Sequence, residues 1–484
     1  MMKTLFLNPP SYEGFDGGAG SRYQAKREVR SFWYPTWLAQ VAALVPDSKL
    51  VDAPARGLLL HDILHMAKDY ELLIIYASAP TFASDVDVAV KFKEANPNLM
   101  IGLCGAHVAT VPEESIQASP VLDFVARHEF DYTIKEVAEG RPFEEIDGIT
   151  WRKDGKVIHN KDRALIHDMD ALPSVIPVYA RDLVVEDYYI GYLKHPYVSF
   201  YTGRGCRSKC SYCLWPQTIG GRVYRTRSPA RVAADVLEAV IAMPQVKEVF
   251  FDDDTFTDDL PRAEEIAKLL GPILTPRGIT WSVNAKANVP YQTLKVMKEN
   301  GLRQLLVGYE SGVQQILNNI RKGTRLDIMR RFAADCHELG ITVHGTFILG
   351  LPGETKETIR QTIDFAKEIN PHSLQVSLAA PYPGTELYEQ ALANGWYTTD
   401  SGTLVEGHGA QNAVLSYSNL SSKEIFDALE VFYKEFYLRP SKIAEMVGEM
   451  LTSWDMFWRR IREGIEFFQF LRKRGKEDVS HQAA

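Results

Sequence analysis

Tyr197-Val-Ser-Phe-Tyr-Thr-Gly-Arg-Gly-Cys206-Arg-Ser-Lys-Cys210-Ser-Tyr-Cys213 decides the fold of this chain. Its first half reads as a strand, over 198–202, and the glycines at 203 and 205 end it. Three of the five cysteines then fall within eight residues. Thiolates are soft ligands, suited to zinc or to iron–sulfur centres. Three of them leave one position of a four-iron cluster open to a substrate, as an open zinc site does. A three-cysteine zinc site and a chance grouping are the plainer readings of the same residues. Cys104 and Cys336 read as buried thiols.

Downstream, apolar runs at 248–252, 279–284, 304–309, 342–349 and 373–379 alternate with helical stretches at 229–242, 261–271, 290–300, 326–339 and 355–369. With 198–202 they make six β/α units, a partial TIM-type (β/α)6 barrel over 196–400 whose active site belongs at the C-terminal strand ends. Upstream, residues 1–145 show a second alternation: strands at 4–8, 50–52, 72–76, 100–103 and 132–134, and helices at 36–44 and 86–95. That is the pattern of a doubly wound, Rossmann-like α/β domain. A hairpin over 146–151 and 156–159 and a proline-containing linker fill 146–195, and 401–484 reads mainly helical with a polar tail.

Composition narrows the function. The 484 residues carry a net charge of −8, which speaks against a nucleic-acid partner. No apolar run reaches the roughly 18 residues of a spanning helix. The opening residues do not form a signal peptide, so a cytoplasmic protein is expected. Trp454, Phe457, Trp458, Ile461, Ile465, Phe468 and Leu471 share one helical face flanked by arginines. Such a face packs on its own domain or lies on a membrane surface, and the second reading adds peripheral contact with the inner membrane face.

The C-x3-C-x2-C spacing, with Tyr212 before the last cysteine, resembles the signature of the radical S-adenosylmethionine (SAM) superfamily. The resemblance implies a [4Fe-4S] cluster on Cys206, Cys210 and Cys213, the catalytic centre, whose open iron binds SAM and whose electron releases a 5′-deoxyadenosyl radical. It further implies SAM contacts from Tyr212, from Asp252, Asp253 and Asp254, from Glu310, and from Gly350 in the glycine-rich segment after the fifth strand. Taken alone, the three aspartates also read as a solvated turn or a helix cap. Relatives carry an arginine after the third strand; here Lys286 stands available, a point charge without the bidentate fork. Tyr201, Tyr309 and Tyr382 are candidate walls of the substrate pocket, or core.

An α/β domain ahead of such a barrel resembles the cobalamin-binding subclass. Asn8, Pro9 and Pro10, and the turn of Gly102, Gly105, Ala106 and His107, are the cobalamin contacts this implies. Where many cobalamin proteins have a cobalt-binding histidine, Asp52-Ala-Pro54-Ala-Arg-Gly57 has proline, so if cobalamin binds, that motif's histidine cannot be its lower ligand. A domain without cofactor is the bland alternative. The segments Leu7–Pro10, Phe15–Tyr23 and Ser31–Trp37 resemble hopanoid-biosynthesis radical SAM proteins of the cyclitol ether synthase kind. That likeness implies a hopanoid-linked glucosamine substrate, hydrogen abstraction at C5, ring contraction to a cyclitol ether, and a flavodoxin or ferredoxin as reductant. A cobalamin-dependent radical methyltransferase acting on carbon is the rival enzyme, and a non-catalytic metal-binding scaffold the rival of another class.

Overall fold

The computed structural model describes residues 1–11, 25–398, 404–405, 411–451, 457–458, 461–466 and 469. The N-terminal half is built on one sheet of β1 (Thr4–Asn8), β2 (Ser48–Asp52), β3 (Leu72–Tyr76), β4 (Met100–Cys104), β5 (Phe124–Ala126), β6 (Ile149–Lys153) and β7 (Lys156–His159), in the order β2-β1-β3-β4-β5-β6-β7. The first five are parallel, and β1 and β3 are buried at every position, as strands covered on both faces must be. The order reverses beside β1, so the switch-point crevice of this doubly wound sheet lies at the C-terminal ends of β1 and β3. β6 and β7 turn at Asp154-Gly155, both at positive φ, and extend the same sheet antiparallel beyond residue 145.

One expected strand is a helix. Residues 132–134 belong to the helix Asp131–Ala138, where Ile134, Val137 and Ala138 are buried on one face. The strand is β5, whose three residues are too few to show an alternation.

The second half is an open six-stranded parallel sheet in the order β15-β14-β13-β12-β11-β8. Its members are β8 (Tyr197–Phe200), β11 (Glu248–Phe251), β12 (Thr280–Ala285), β13 (Leu302–Glu310), β14 (Thr342–Leu349) and β15 (Ser373–Leu378). A two-residue ribbon, β9 (Gly203–Arg204) against β10 (Arg225–Thr226), closes the base of the cysteine loop. Side chains satisfy the outer edge of β15: the amides of Leu374, Val376 and Leu378 donate to Tyr437 Oη, Tyr433 Oη and Gln411 Oε1. The helix Ser422–Tyr437 is thereby laid along an edge that would otherwise invite pairing.

The two halves share one core and one buried ion cluster. Arg204 donates to Glu129 Oε1 at 3.0 Å and to both oxygens of Asp131 at 2.8 and 3.0 Å. Arg225 reaches Glu129 Oε2 at 2.7 Å, and the Ile166 amide donates to the same oxygen at 2.7 Å. Two cations meet two anions, all buried. Arg204 also lies 4.4 Å over Trp37, which stacks on Trp215.

Burial alone pushes the Glu129 carboxyl up, but Arg204, Arg225 and the Ile166 amide outweigh it and the net direction is down. Its stabilisation is therefore present above the ordinary carboxylate range and lost as pH falls through it. Glu129→Gln, which leaves two buried guanidinium groups with one carboxylate, is expected to cost about 3 kcal/mol in urea unfolding at pH 7 and to flatten the acid limb of the stability curve.

Candidate active site at the cysteine loop

The cysteine loop lies at the C-terminal ends of the barrel strands, where Cys206, Cys210 and Cys213 line one cavity of about 350 Å³. The loop is shaped by its glycine: Gly205 has φ +87°, and a Cβ there would sit 2.3 Å from the Val223 carbonyl. Its amide donates to Asp254 at 2.8 Å. The Cys206 sulfur lies 3.6 Å from Thr255 Oγ1 and accepts the Ser208 amide at 3.4 Å. Burial pushes the Cys210 thiol up against the pull of Lys322, and burial together with Cys210 pushes Cys213 up. All five cysteines are free of disulfides, and three sulfur ligands gathered on one cavity suit a cation held between them. The donor set fits a three-cysteine iron–sulfur cluster, and the cavity beside it is of ligand size.

At the end of β13 the register shifts between Gly308 and Glu310, and Glu310 takes φ +64°. Such a bulge re-aims a side chain. Glu310 folds back over Gly308, where a Cβ would lie 2.2 Å from its Oε1. Tyr212 Oη donates to that oxygen at 2.8 Å and Lys322 Nζ at 2.6 Å. Tyr212, Glu310 and Lys322 thus form one hydrogen-bonded unit beside the cysteines. Lys322 escaped the sequence reading; its only signal is the tight turn Arg321-Lys-Gly323, with positive φ on either side of it.

The three aspartates do three things. Asp252 lines the cavity and accepts from Asn284 Nδ2 at 2.9 Å. Asp254 holds Gly205. Asp253 faces away from the cavity and is fully buried, accepting from Thr202 N, Thr202 Oγ1 and Tyr224 Oη, each at 2.6 Å, so it pins the end of β8. Lys286 lines the cavity but is ion-paired with Asp258. Gly350 lies outside the cavity lining at φ +85°, where a Cβ would press on Ile425; its amide donates to Glu354 at 2.6 Å. Tyr382 lines the cavity, whereas Tyr201 packs on Trp37 and Tyr309 stacks on Phe347, both in the core. Trp33, Tyr192 and His344, which the sequence did not single out, also line it.

In the N-terminal half, Asn8 is held by Asp52 at 2.8 Å, and Tyr188 holds the other oxygen of Asp52. Pro54 lies in the short helix Ala53–Arg56, where no histidine stands. Pro9 is buried and Pro10 half-buried at the end of β1. Gly102 serves packing, since a Cβ would meet the Phe124 ring at 2.2 Å. Gly105, at φ +120° against the Ala77 carbonyl, starts the helix Ala106–Thr110. Within it, Ala106 is buried, and the buried His107 Nδ1 has no hydrogen-bond partner among the described residues. Burial lowers the His107 pKa to about 4, so the imidazole is neutral. This helix abuts the barrel mouth, since a Cβ on Gly384 would strike Thr110 at 2.2 Å; beside it, His128 after β5 places Nδ1 2.8 Å from the Thr218 carbonyl. Small residues and an orphaned imidazole nitrogen fit the polar rim of a corrinoid.

Of the aromatic face near the C-terminus, Trp454, Phe468 and Leu471 lie outside the described residues, as does the segment 12–24. Trp458 is 63% and Ile465 53% exposed, while Phe457 and Ile461 are half-buried. Among the described residues no helix is long and apolar enough to cross a membrane.

The sequence profile of the Radical SAM superfamily matches residues 200–366. An uncharacterized methyltransferase of Pyrococcus horikoshii is 31% identical over 459 residues, covering 93% of this chain and 95% of that protein. A cytidylyl-2-hydroxyethylphosphonate methyltransferase of Streptomyces wedmorensis is 25% identical, covering 81% of this chain and 82% of its own. Among solved structures, the radical SAM methyltransferase TsrM of Kitasatospora setae, with cobalamin and a [4Fe-4S] cluster bound, superposes with TM-score 0.69 at 14% identity over 99% of this chain and all of its own. This chain belongs to the radical SAM superfamily, and its fold, an α/β domain followed by the open barrel, is that of TsrM.

Glu354, two residues past the turn Gly350–Pro352, supports the strand end from inside. Burial pushes its carboxyl up to about 8, although the Gly350 and Leu351 amides oppose this. The folded form holds the proton that the unfolded chain releases near the ordinary value of 4.5. Folding stability is therefore expected to fall as pH rises from 4.5 to about 8, by up to about 1.4 kcal/mol per pH unit from this group. Glu354→Gln should flatten that fall in urea midpoints measured across the same range.

Proposed function

We propose that this protein is a cobalamin-dependent radical SAM methyltransferase that methylates a carbon of a small-molecule acceptor held in the barrel cavity. The observation that carries this reading is the abutment of two sites. The helix that begins at Ala106, with its orphaned His107 nitrogen, touches the elements flanking the cysteine loop. The named functions of the Pyrococcus and Streptomyces relatives support it, since both are methyltransferases.

When bound, the cluster supplies the electron that splits SAM, and the corrinoid serves as carrier of the methyl group. The chain's own residues do the rest. Cys206, Cys210 and Cys213 would hold the cluster through three thiolates. Tyr212 and Lys322 fix the carboxylate of Glu310, which meets the polar groups of SAM, and Asp252, steadied by Asn284, adds a second carboxylate on the same side. Lys286 spends its charge on Asp258, so Lys322 is the cation that balances this end of the cavity. His107 and the backbone from Gly105 would receive the corrinoid, and Pro54 stands in the segment where a histidine could have offered a ligand. Trp33, Tyr192, Phe250 and Leu306 keep the cavity dry, which radical chemistry requires.

The reading calls for a one-electron donor of the flavodoxin or ferredoxin type. Ring contraction of a hopanoid-linked sugar is the narrower alternative, and contact of the exposed Trp458 face with the inner membrane surface belongs with it. It rests on the N-terminal likeness alone.

Anaerobically reconstituted protein, given cobalamin, a reductant and [methyl-²H₃]SAM, is expected to form S-adenosylhomocysteine and to place the label in the corrinoid fraction. SAM consumed only to 5′-deoxyadenosine and methionine, with the corrinoid unlabelled, overturns methyl transfer and favours ring contraction.

A further inference from the structure

The cavity does not end at the cysteines. On β14 the alternate residues His344, Thr346 and Ile348 line it, so it follows the strand inward from the catalytic face. Four residues of strand span about 13 Å. The deep end therefore lies far from the reacting atoms, at the N-terminal end of the barrel, and its walls are unlike those of the mouth.

His344 forms the floor. It is 4% exposed, its Nδ1 meets the Ser373 hydroxyl at 2.8 Å, and its Nε2 is buried with no hydrogen-bond partner among the described residues. A buried polar atom left unpaired is costly, and a ligand that pairs it removes that cost. Burial, the Arg27 charge and His372 all hold the imidazole well below its ordinary range, so the ring is neutral. Tyr192 stacks on that ring with centroids 4.0 Å apart. Arg27 lines the same end, its guanidinium 5.3 Å from the Trp33 ring and 5.8 Å from the Tyr192 ring. The carboxylates on the cavity, Asp252, Asp254 and Glu310, stand at the other end, beside the cysteines.

We infer that the deep end of the cavity is the anchoring subsite for the methyl acceptor, and that it takes an anionic oxygen group carried on an apolar or aromatic body. The inference deepens the methyltransferase reading and rests on it, because it takes the cavity to be the acceptor's site. The chemistry selects the charge. The Ser373 hydroxyl can donate to Nδ1 or accept from it, so the neutral ring takes the tautomer its ligand calls for, and with Nδ1 as the acceptor Nε2 offers its hydrogen to an oxygen. The neighbouring guanidinium excludes an ammonium and favours an oxyanion. Trp33 and Tyr192 supply flat apolar walls on the way in. The acceptor is thus a molecule with a carboxylate or phosphate-type terminus, its reacting carbon placed toward the cysteine loop by the length of the cavity. His344 and Arg27 are specificity residues; they touch the bound molecule remote from the bond that forms.

The test is calorimetric titration of the full-length reconstituted protein with 4-phenylbutanoate, 4-phenylbutanamide and 4-phenylbutylphosphonate. The acid is expected to bind at least tenfold more tightly than the amide. Arg27→Gln, at a half-buried position, and His344→Gln should each reduce that preference below threefold while SAM binding, the folding control, stays unchanged. The phosphonate separates the two sources of the anion: tighter binding than the acid assigns a phosphate-type terminus, weaker binding a carboxylate. Equal affinity for acid and amide, no binding of either, or a preference that survives in both variants overturns the inference. These outcomes do not depend on methyl transfer, so failure of the anchoring subsite and failure of the methyltransferase reading are told apart.

Discussion

Arg204 is the residue on which the architecture turns. It lies two positions before the first cysteine, and its guanidinium is spent on Glu129 and Asp131 of the N-terminal half. The pair Arg225–Glu129 ties down the other strand of the same ribbon. The cysteine loop is thus clamped at both ends to the domain that faces it. A buried ion pair is weak evidence of net stability, because desolvation offsets attraction. What it supplies here is registry: four charges that are satisfied in one arrangement and costly in any other. The relative placement of the two halves, and with it the distance between the cysteine loop and the switch-point crevice, is set by these contacts together with the core the halves share.

The barrel is open, and the openness is managed. Tyr433, Tyr437 and Gln411 take the place of a seventh strand along β15, so the edge is satisfied by side chains and the lumen stays free for ligand. The same economy shows at the strand ends. Three consecutive aspartates coexist because each is aimed at a different partner: one at an asparagine, one at a threonine and a tyrosine, one at a backbone amide. Glu310 is turned into the cavity by a bulge and a positive φ, which puts backbone strain at the point where a carboxylate faces the cysteines.

Much of this was legible in the sequence. The barrel strands stand out because each is a run of buried apolar residues bounded by polar turns, and the cysteine spacing marks the loop. The misses have physical causes. Residues 132–134 read as a strand because a short apolar run does not distinguish period two from one turn of helix; Phe130 and Val137 complete the helical face only in three dimensions. The ribbon β9–β10 is two residues on each side and has no pattern to read. Tyr309 and Tyr201 went to the core because sequence gives the presence of an aromatic at a strand end but not its parity, and the bulge at Glu310 shifts that parity. Asp253 was lost to the wall for the same reason. Lys322 and His344 come from a turn and from the middle of a strand, and only folding brings them to the cavity that holds the cysteines.

The central claim is that three thiolates hold an iron–sulfur cluster with one iron open to SAM. Electron paramagnetic resonance of the anaerobically reconstituted, reduced protein, with and without SAM, tests it most directly. About four irons per chain, and a reduced-cluster signal that shifts when SAM is added, is the predicted result. Zinc in place of iron, or a cluster signal indifferent to SAM, would contradict it.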